Sequence, residues 1–548
     1  MVVNVHSYKD PCPCSVRKNA GGKSIHVVFG NNHSSEYHAP WLWFNDSRNI
    51  MVLSGQRHFS PGSWNIETFI VDATVHHYSE MQNIITSHQI HDIDTVNSIN
   101  PSKKQYISDH ENLSEFLLVI QWNRPMVKLN ETTEVTQEDF MSVYNMFMLK
   151  QWSYDSLSTN ESRLKREISE KHTFLYKYVQ FQNRGGGECN ESVALINANR
   201  KDHGGLISVD YNQIVNGGIC GELITFFDSL FLEGAVMVTN APPSSNPDSD
   251  LDEAVSNVGK IISGGSLSHG SLYGDNFHVK TTHNAINVAY TAIGLCPHQD
   301  LAYYESKPGF QLLHCIANCK RSNGGESLLI DCMAAAYHFR QLAPDLFEIL
   351  VKCPATFVKV RDGASMMYHK PHIVLYNDGQ SDLNNMDREI VSVNWSPPFE
   401  GRPQMHPDRV EDYFKAYAAF ELMLDSSKCP MECSETSGIT LDLAMTLSEY
   451  AKKYTWIYHL KPGEIMIFNN TRMLHGRRSF VRGEPDDINT ENNVERHLVG
   501  AYTNIDDSLN NYRLLLRQAG CTRKRVIPNV ANGSISTSYP WGTKLMKY

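Results

Sequence analysis

The spacing of apolar and polar positions changes several times along the chain, and each change marks a different kind of element. Ser24-Ile25-His26-Val27-Val28-Phe29 and Thr68-Phe69-Ile70-Val71 are rich in β-branched and aromatic residues, with Gly, Asn, Ser and Pro between them. That pattern predicts short strands over 24–81. Residues 115–122 form another apolar run. Residues 136–152, 333–342 and 410–424 place apolar side chains three and four apart, the helical period. Pro344 should end the second of these, with a short helix following to Leu350. Ile465-Met466-Ile467-Phe468 has the look of a buried strand, and 513–518 the look of the end of an amphipathic helix. Charged 156–171, the Gly run at 185–187 and the Pro-, Ser- and Asp-rich 241–252 interrupt these periods. The expected organisation is a small β-rich N-terminal domain over 24–125, a linker with inserted elements over 126–202, a larger domain of mixed strands and helices over 203–520, and a flexible tail over 521–548.

Composition narrows the function classes. With 548 residues, 41% of them hydrophobic, the chain is long enough to bury more than one core and too apolar for wholesale disorder. Lys and Arg total 49 against 60 Asp and Glu, a net charge of -11, and no basic cluster stands out, which argues against a nucleic-acid partner. No run of 18 apolar residues predicts a membrane helix. Residues 1–23 lack the apolar core of a secretory signal, so the expected location is cytoplasmic, with a mitochondrial address left open. In that setting the 12 cysteines are expected to be reduced thiols. Three close pairs, Cys12 with Cys14, Cys315 with Cys319 and Cys429 with Cys433, each have the form of half a zinc site, but no spacing recurs, which favours plain thiols.

The fragment richest in chemistry is Cys296-Pro297-His298-Gln299-Asp300. On an extended strand, residues two apart point the same way, so His298 and Asp300 offer an imidazole nitrogen and a carboxylate oxygen to one ion. Two histidines and one carboxylate with open positions opposite form the facial triad of non-haem iron(II) oxygenases. A lone His-x-Asp is weak; His406-Pro407-Asp408 is another, and its place just before a helix reads better as a cap. A second fragment adds weight. Residues 461–470 read as a turn and a strand leading to Met473-Leu474-His475-Gly476-Arg477-Arg478, where a Gly after His475 suits close backbone approach. Arg496-His497-Leu498-Val499-Gly500-Ala501-Tyr502 follows, and period two puts Arg496, Leu498, Gly500 and Tyr502 on one face. Arg496 is suited to clamp a carboxylate in bidentate fashion, although taken alone it reads equally as a structural ion pair. His-x-Asp, distal His, then Arg is the order found in 2-oxoglutarate oxygenases.

With these motifs in place, the chain resembles the gamma-butyrobetaine dioxygenase and trimethyllysine dioxygenase group of 2-oxoglutarate oxygenases. The resemblance runs over about 203–518 and, more weakly, 24–81. It is carried by Asn287-Val288-Ala289-Tyr290-Thr291, Lys307-Pro308-Gly309-Phe310-Gln311-Leu312-Leu313-His314-Cys315, Leu474-His475-Gly476-Arg477-Arg478-Ser479 and the 496–502 stretch. It implies a mainly β fold with flanking helices: a double-stranded β-helix (jelly-roll) core plus the small N-terminal domain. It implies Fe(II) on His298, Asp300 and His475, with no catalytic residue beyond the metal site. It further implies 2-oxoglutarate held by Arg496 with Leu313 lining its pocket, O2 as cosubstrate, ascorbate as reductant, and a homodimer. The implied substrate is a small quaternary amine. Such a cation takes no hydrogen bond and is bound by aromatic faces worth about 0.5–2 kcal/mol each. The matching positions are Tyr273, Phe277, Tyr290 and Tyr502, with Phe277 where butyrobetaine enzymes carry Trp.

Asn287 stands where trimethyllysine enzymes carry Asp, which favours a carboxylate over an ammonium at the substrate's other end. The implied reaction is hydroxylation of gamma-butyrobetaine to L-carnitine with succinate and CO2. The alternatives are trimethyllysine or another quaternary amine and, from a different class, a non-catalytic binder. Leu301 replaces a Tyr of some butyrobetaine enzymes, and Ser396, near Asn394, falls where those enzymes have Asn. The N-terminal zinc site of the family has lost its cysteines, leaving His77, so zinc is expected to be absent there. The acidic stretch over 484–495 is expected to be a surface insertion over the site.

Overall fold

The computed structural model describes residues 14–29, 33–49, 61–81, 112–125, 136–151, 153, 167–174, 202–219, 221–243, 252–267, 272–280, 292–318, 323–361, 364–377, 385–481, 496–520 and 530–533. The chain divides into two compact units, Met1–Leu164 with Ser538–Tyr548, and Lys165–Thr537.

The first unit holds two three-stranded antiparallel sheets: β1 (Ser15–Lys18), β2 (Ser24–Phe29) and β3 (His33–His38), then β4 (Ile70–His77), β5 (Phe116–Trp122) and β6 (Met141–Asn145). Ile25, Val27 and Phe29 pack with Leu118, Ile120 and Trp122 in one core. The helical reading of 136–152 is corrected here. A short 3-10 turn at Gln137–Phe140 leads into β6, and only Met146–Gln151 is helical. Met141 and Val143, two apart, lie with Leu117 and Val119 in one apolar cluster, so pairing with β5 outweighs the helical spacing. β6 and this short helix belong to the first unit and lie within the 126–202 stretch read as a linker with inserted elements. His77 lies 2.8 Å from the Ser79 hydroxyl and 3.6 Å from a Glu115 oxygen.

The second unit is built on two sheets. One has six strands in the order β7 (Ser208–Asp210), β8 (Ala235–Thr239), β19 (Ile465–Asn469), β11 (Phe310–Asn318), β22 (Arg496–Thr503) and β9 (Phe277–Lys280). Only β7 and β8 run parallel. The other has four, β10 (Leu295–His298), β20 (Met473–Arg477), β13 (Ser327–Asp331) and β18 (Trp456–Tyr458). Smaller pairs are β12 (Asn323–Gly324) with β21 (Phe480–Val481), β14 (Pro354–Arg361) with β15 (Ala364–Pro371), and β16 (Ile373–Leu375) with β17 (Ile390–Val393).

Period two along the six-stranded sheet separates two cores. Val236, Val238, Phe310, Leu312, Ile465, Ile467 and Ala501 pack against helices Glu253–Ser263 and Ile505–Gln518. Their neighbours Ala235, Met237, Leu313, Cys315, Met466, Phe468 and Leu498 pack inward with Leu329, Trp456 and Met473 of the four-stranded sheet. On the far face of that sheet, Ile330 and Leu474 meet helices Cys332–Leu342, Pro344–Lys352, Val410–Leu424 and Leu441–Tyr454. Pro344 occupies the first turn of its helix, where a missing N–H costs nothing. The unit is thus mainly β with flanking helices, and among the described residues no helix is long and apolar enough to cross a membrane.

Candidate metal centre

His298 ends β10, and its register partner on β20 is His475. The two rings are 4.3 Å apart. Asp300 follows in a turn, with an oxygen 3.3 Å from His298 Nε2 and its other oxygen 3.7 Å from His475 Nε2. All three ligand atoms lie within 4.8 Å of one another, the only such group of three or more among the described residues. His406 and Asp408, the other His-x-Asp, are exposed, and His406 caps the short turn Pro407–Arg409.

The backbone around this group is held by side chains from remote elements. Residue 301, next to Asp300, has φ 58° although it is a leucine, a left-handed conformation that costs a branched residue roughly 1–2 kcal/mol. Asn470 fastens that reversal on both sides: its Oδ1 accepts from the Asp300 N–H at 2.9 Å, and its Nδ2 donates to the Asp300 carbonyl at 3.1 Å. Between the two candidate ligands, Gln299 points the other way and is fully buried. It donates to the Thr471 carbonyl at 2.8 Å and accepts from Lys307 Nζ at 2.8 Å. Lys307 completes its three donors on the Val393 carbonyl and Asn394 Oδ1, neutral acceptors only. Burial pushes its amine down to about 7. Ser396 donates to the Gln299 carbonyl, so Asn394 and Ser396 both serve this buried network. Gly476 lets β20 come close to β10, since a Cβ there would sit 2.7 Å from the Leu295 carbonyl oxygen.

The electrostatics of the three groups call for a cation. His298 Nδ1 is 2.9 Å from the Cys296 carbonyl, which can only accept, so Nδ1 carries the proton and Nε2 presents a lone pair. His475 is pushed down to about 3, first by burial and then by His298. Burial works against ionising Asp300, but His475, His298 and the Tyr502 hydroxyl together hold its carboxyl well below the usual range. One Asp300 oxygen already accepts from Gln311 at 2.8 Å and from Tyr502 at 2.7 Å. Three lone-pair donors thus converge within one ion's reach.

A cavity of about 270 Å³ opens above them. Leu313, Arg496, Leu498 and Tyr502 line it, as the alternation of β22 leads one to expect, together with Tyr273, Phe277, Tyr303, Lys359, Phe399 and Arg477. Arg496 is buried, and no side-chain hydrogen bond or ion pair joins its guanidinium to a described residue. Its guanidinium is pushed down to about 10 by burial and by neighbouring Arg477, itself pushed to about 10 by burial. Phe277 stacks on Tyr502 at 4.9 Å and meets Tyr273 at 5.8 Å. Gly500 makes room for that stack, because any side chain there would collide with the Phe277 ring. Asn287, Tyr290 and the acidic 484–495 stretch lie outside the described residues. Gln311, Asn470, Lys307, Arg477, Lys359, Tyr303 and Phe399 had no assigned role in the sequence reading. Gln311 sits inside a motif quoted there, but its reach to Asp300 is a tertiary fact.

Residues 222–502, half of the chain, match the family described as taurine catabolism dioxygenase TauD, TfdA family. Among individual proteins, the dioxygenase str8 of Strobilurus tenacellus is 29% identical over 247 residues, 45% of this chain and 49% of that one. The mitochondrial trimethyllysine dioxygenase of Homo sapiens is 26% identical over 302 residues, 54% of this chain and 58% of that one. The gamma-butyrobetaine dioxygenase of Homo sapiens is 27% identical over 273 residues, 49% and 58% respectively. The chain spans about half the length of the curated relatives it matches.

Proposed function

The chain belongs to the taurine catabolism dioxygenase TauD, TfdA family, and from that premise we propose that it is an Fe(II)- and 2-oxoglutarate-dependent hydroxylase of a small quaternary amine, with gamma-butyrobetaine, giving L-carnitine, as the substrate. The observation that carries the reading is the convergence of His298, Asp300 and His475 in the same cavity as a buried arginine that has no counterion among the described residues. A jelly-roll core, with the six- and four-stranded sheets as its two faces, goes with this reading.

The residues fit the metal. His298 and His475 supply Nε2, and Asp300 supplies a carboxylate oxygen, the two imidazoles and one carboxylate that a facial triad uses. When bound, iron(II) supplies the O2 activation that couples decarboxylation of 2-oxoglutarate, to succinate and CO2, with hydroxylation of the substrate. Cys296 fixes the tautomer that frees His298 Nε2. Arg496 pairs with the far carboxylate of 2-oxoglutarate, and Leu313 packs against the cosubstrate. Tyr273, Phe277 and Tyr502 offer aromatic faces to the trimethylammonium group. Ascorbate as reductant and a homodimeric assembly go with this reading.

Trimethyllysine is the second substrate to test, since relatives named for it match over a comparable stretch. Its extra ammonium calls for an acid, and among the described lining residues the only carboxylate is Asp300. The test is succinate formation by anaerobically iron-loaded protein on admission of O2, with each amine in turn. Butyrobetaine should give the larger substrate-coupled succinate. Arg496→Met should weaken 2-oxoglutarate about a hundred-fold or more, the scale of leaving a buried charge unpaired. No coupled succinate with either amine sinks the reading.

A further inference from the structure

Among the described cations of the cavity, Arg496 is assigned to 2-oxoglutarate and Arg477 donates to the Ile293 carbonyl, which leaves Lys359 without a task in the chemistry above. Lys359 stands on β14, in the hairpin wall, and its side chain lines the same cavity as His298, Asp300 and Arg496. We propose that Lys359 is the anchor for a carboxylate at the substrate's far end, and so a specificity-determining residue. The inference deepens the reading of this cavity as a substrate site and rests on it.

Three observations carry it. The first is the state of the amine. Lys359 is half-buried, its Nζ lies 5.1 Å from the centroid of the Phe399 ring, and no ion pair joins it to a described carboxylate. Lys370, on the other strand of the same hairpin, donates instead to the carbonyls of Tyr304 and Glu305. Lys370 is spent on the fold, whereas Lys359 rests on an aromatic face with no hydrogen-bond acceptor among the described residues.

The second is the charge inventory. Lys359, Arg477 and Arg496 face the cavity against one described carboxylate, Asp300, which sits among the candidate metal ligands. A cavity with surplus positive charge selects an anion and repels a second ammonium. The aromatic group Tyr273, Phe277 and Tyr502 comes from β9, β22 and the segment before β9, whereas Lys359 comes from β14, so cation and anion recognition are carried by different elements. A trimethylammonio carboxylate satisfies both.

The third is rigidity at the root. β14 and β15 pair at every position from Pro354 with Pro371 to Arg361 with Ala364, and Lys359 faces Met366 in that register. The strand therefore holds the lysine's origin fixed and leaves only the flexible stem to adjust.

The test is a two-by-two set of ligands: a trimethylammonio or a neutral tert-butyl head, on a four-carbon chain ending in a carboxylate or its primary amide. Affinities are measured by calorimetry on the full chain, both unloaded and loaded anaerobically with Fe(II) and 2-oxoglutarate. Carboxylates should bind the wild type about 10- to 100-fold more tightly than amides, the scale of one charge-assisted hydrogen bond. Lys359→Met should abolish that ratio, Lys359→Arg should restore most of it, and circular dichroism should show both variants folded. A ratio that persists in Lys359→Met, or amides equal to carboxylates in the wild type, including no binding of either, overturns the proposal. Failure of the quaternary-amine reading looks different: the neutral head then binds as well as the charged one, while the tail ratio and its dependence on Lys359 remain.

Discussion

The floor and the wall of the cavity are built on opposite principles. On the floor, His298, Asp300 and the Gln299 between them are tied by hydrogen bonds to Cys296, Asn470, Gln311, Tyr502, Thr471 and Lys307, partners drawn from widely separated parts of the chain. On the wall, Phe277 and Phe399 are placed by ring contacts and close packing. A floor fixed by directional bonds keeps its geometry whatever occupies the cavity. A wall fixed by contact can be reshaped by single substitutions, which suits a family that varies its substrates on one centre.

The largest expected effect tests the floor alone. His475→Ala should lower iron affinity by more than the 10- to 100-fold that loss of an outer supporting partner costs, with the fold retained. Iron content after dialysis, beside circular dichroism, measures it; full retention of iron would break the contrast at its root. The next acts on the floor's support. His372, buried, bonds the Asn394 carbonyl and the Tyr413 hydroxyl, and burial pushes it down from 6.5 to about 4. It is neutral in the fold, while the unfolded chain takes up a proton below 6.5. Its contribution is therefore complete above pH 6.5 and lost as pH falls towards 4, by up to about 3 kcal/mol. Denaturant titrations between pH 4 and 7 should show this slope, and His372→Gln should flatten it.

Two smaller effects separate the regions at their shared residue. Tyr502→Phe keeps the ring of the wall but removes a donor from Asp300. It should weaken iron about 10- to 100-fold and leave amine binding, measured by calorimetry, within a factor of two or so. Gly500→Ala does the reverse by displacing Phe277. It should weaken the quaternary amine by about 0.5–2 kcal/mol, one aromatic face, with iron content unchanged. If either variant moves both readouts equally, floor and wall are one unit.

What the sequence disclosed follows the same division. His298 and Asp300 stand two apart at strand spacing and Arg496 lies on a strand of clear alternation, but it is the order of these motifs with His475, and the family they resemble, that singles them out. The helix Val410–Leu424 and the strand Ile465–Asn469 likewise carry a single uninterrupted period. Residues 136–152 misled because a strand and a helix follow each other without a break, and their apolar positions together mimic one helix. Gln311, Asn470 and Lys307 were silent, since their partners lie on other elements and a polar residue in a strand carries no sign of its target. The Val-Lys-Val-Arg alternation around Lys359 carries no sign of a role; only the tertiary placement of Phe399 and the cavity sets it apart.

The sheet that divides the two cores also sets how this molecule should vary. Along β11, Phe310 and Leu312 face the helices, while Gln311 and Leu313 face the cavity. In a saturation mutant library scored separately for abundance and for turnover, the two phenotypes should alternate residue by residue along that strand. Odd steps would depress turnover at normal abundance, and even steps would depress abundance first. Drift in one register would then adjust chemistry without endangering the fold.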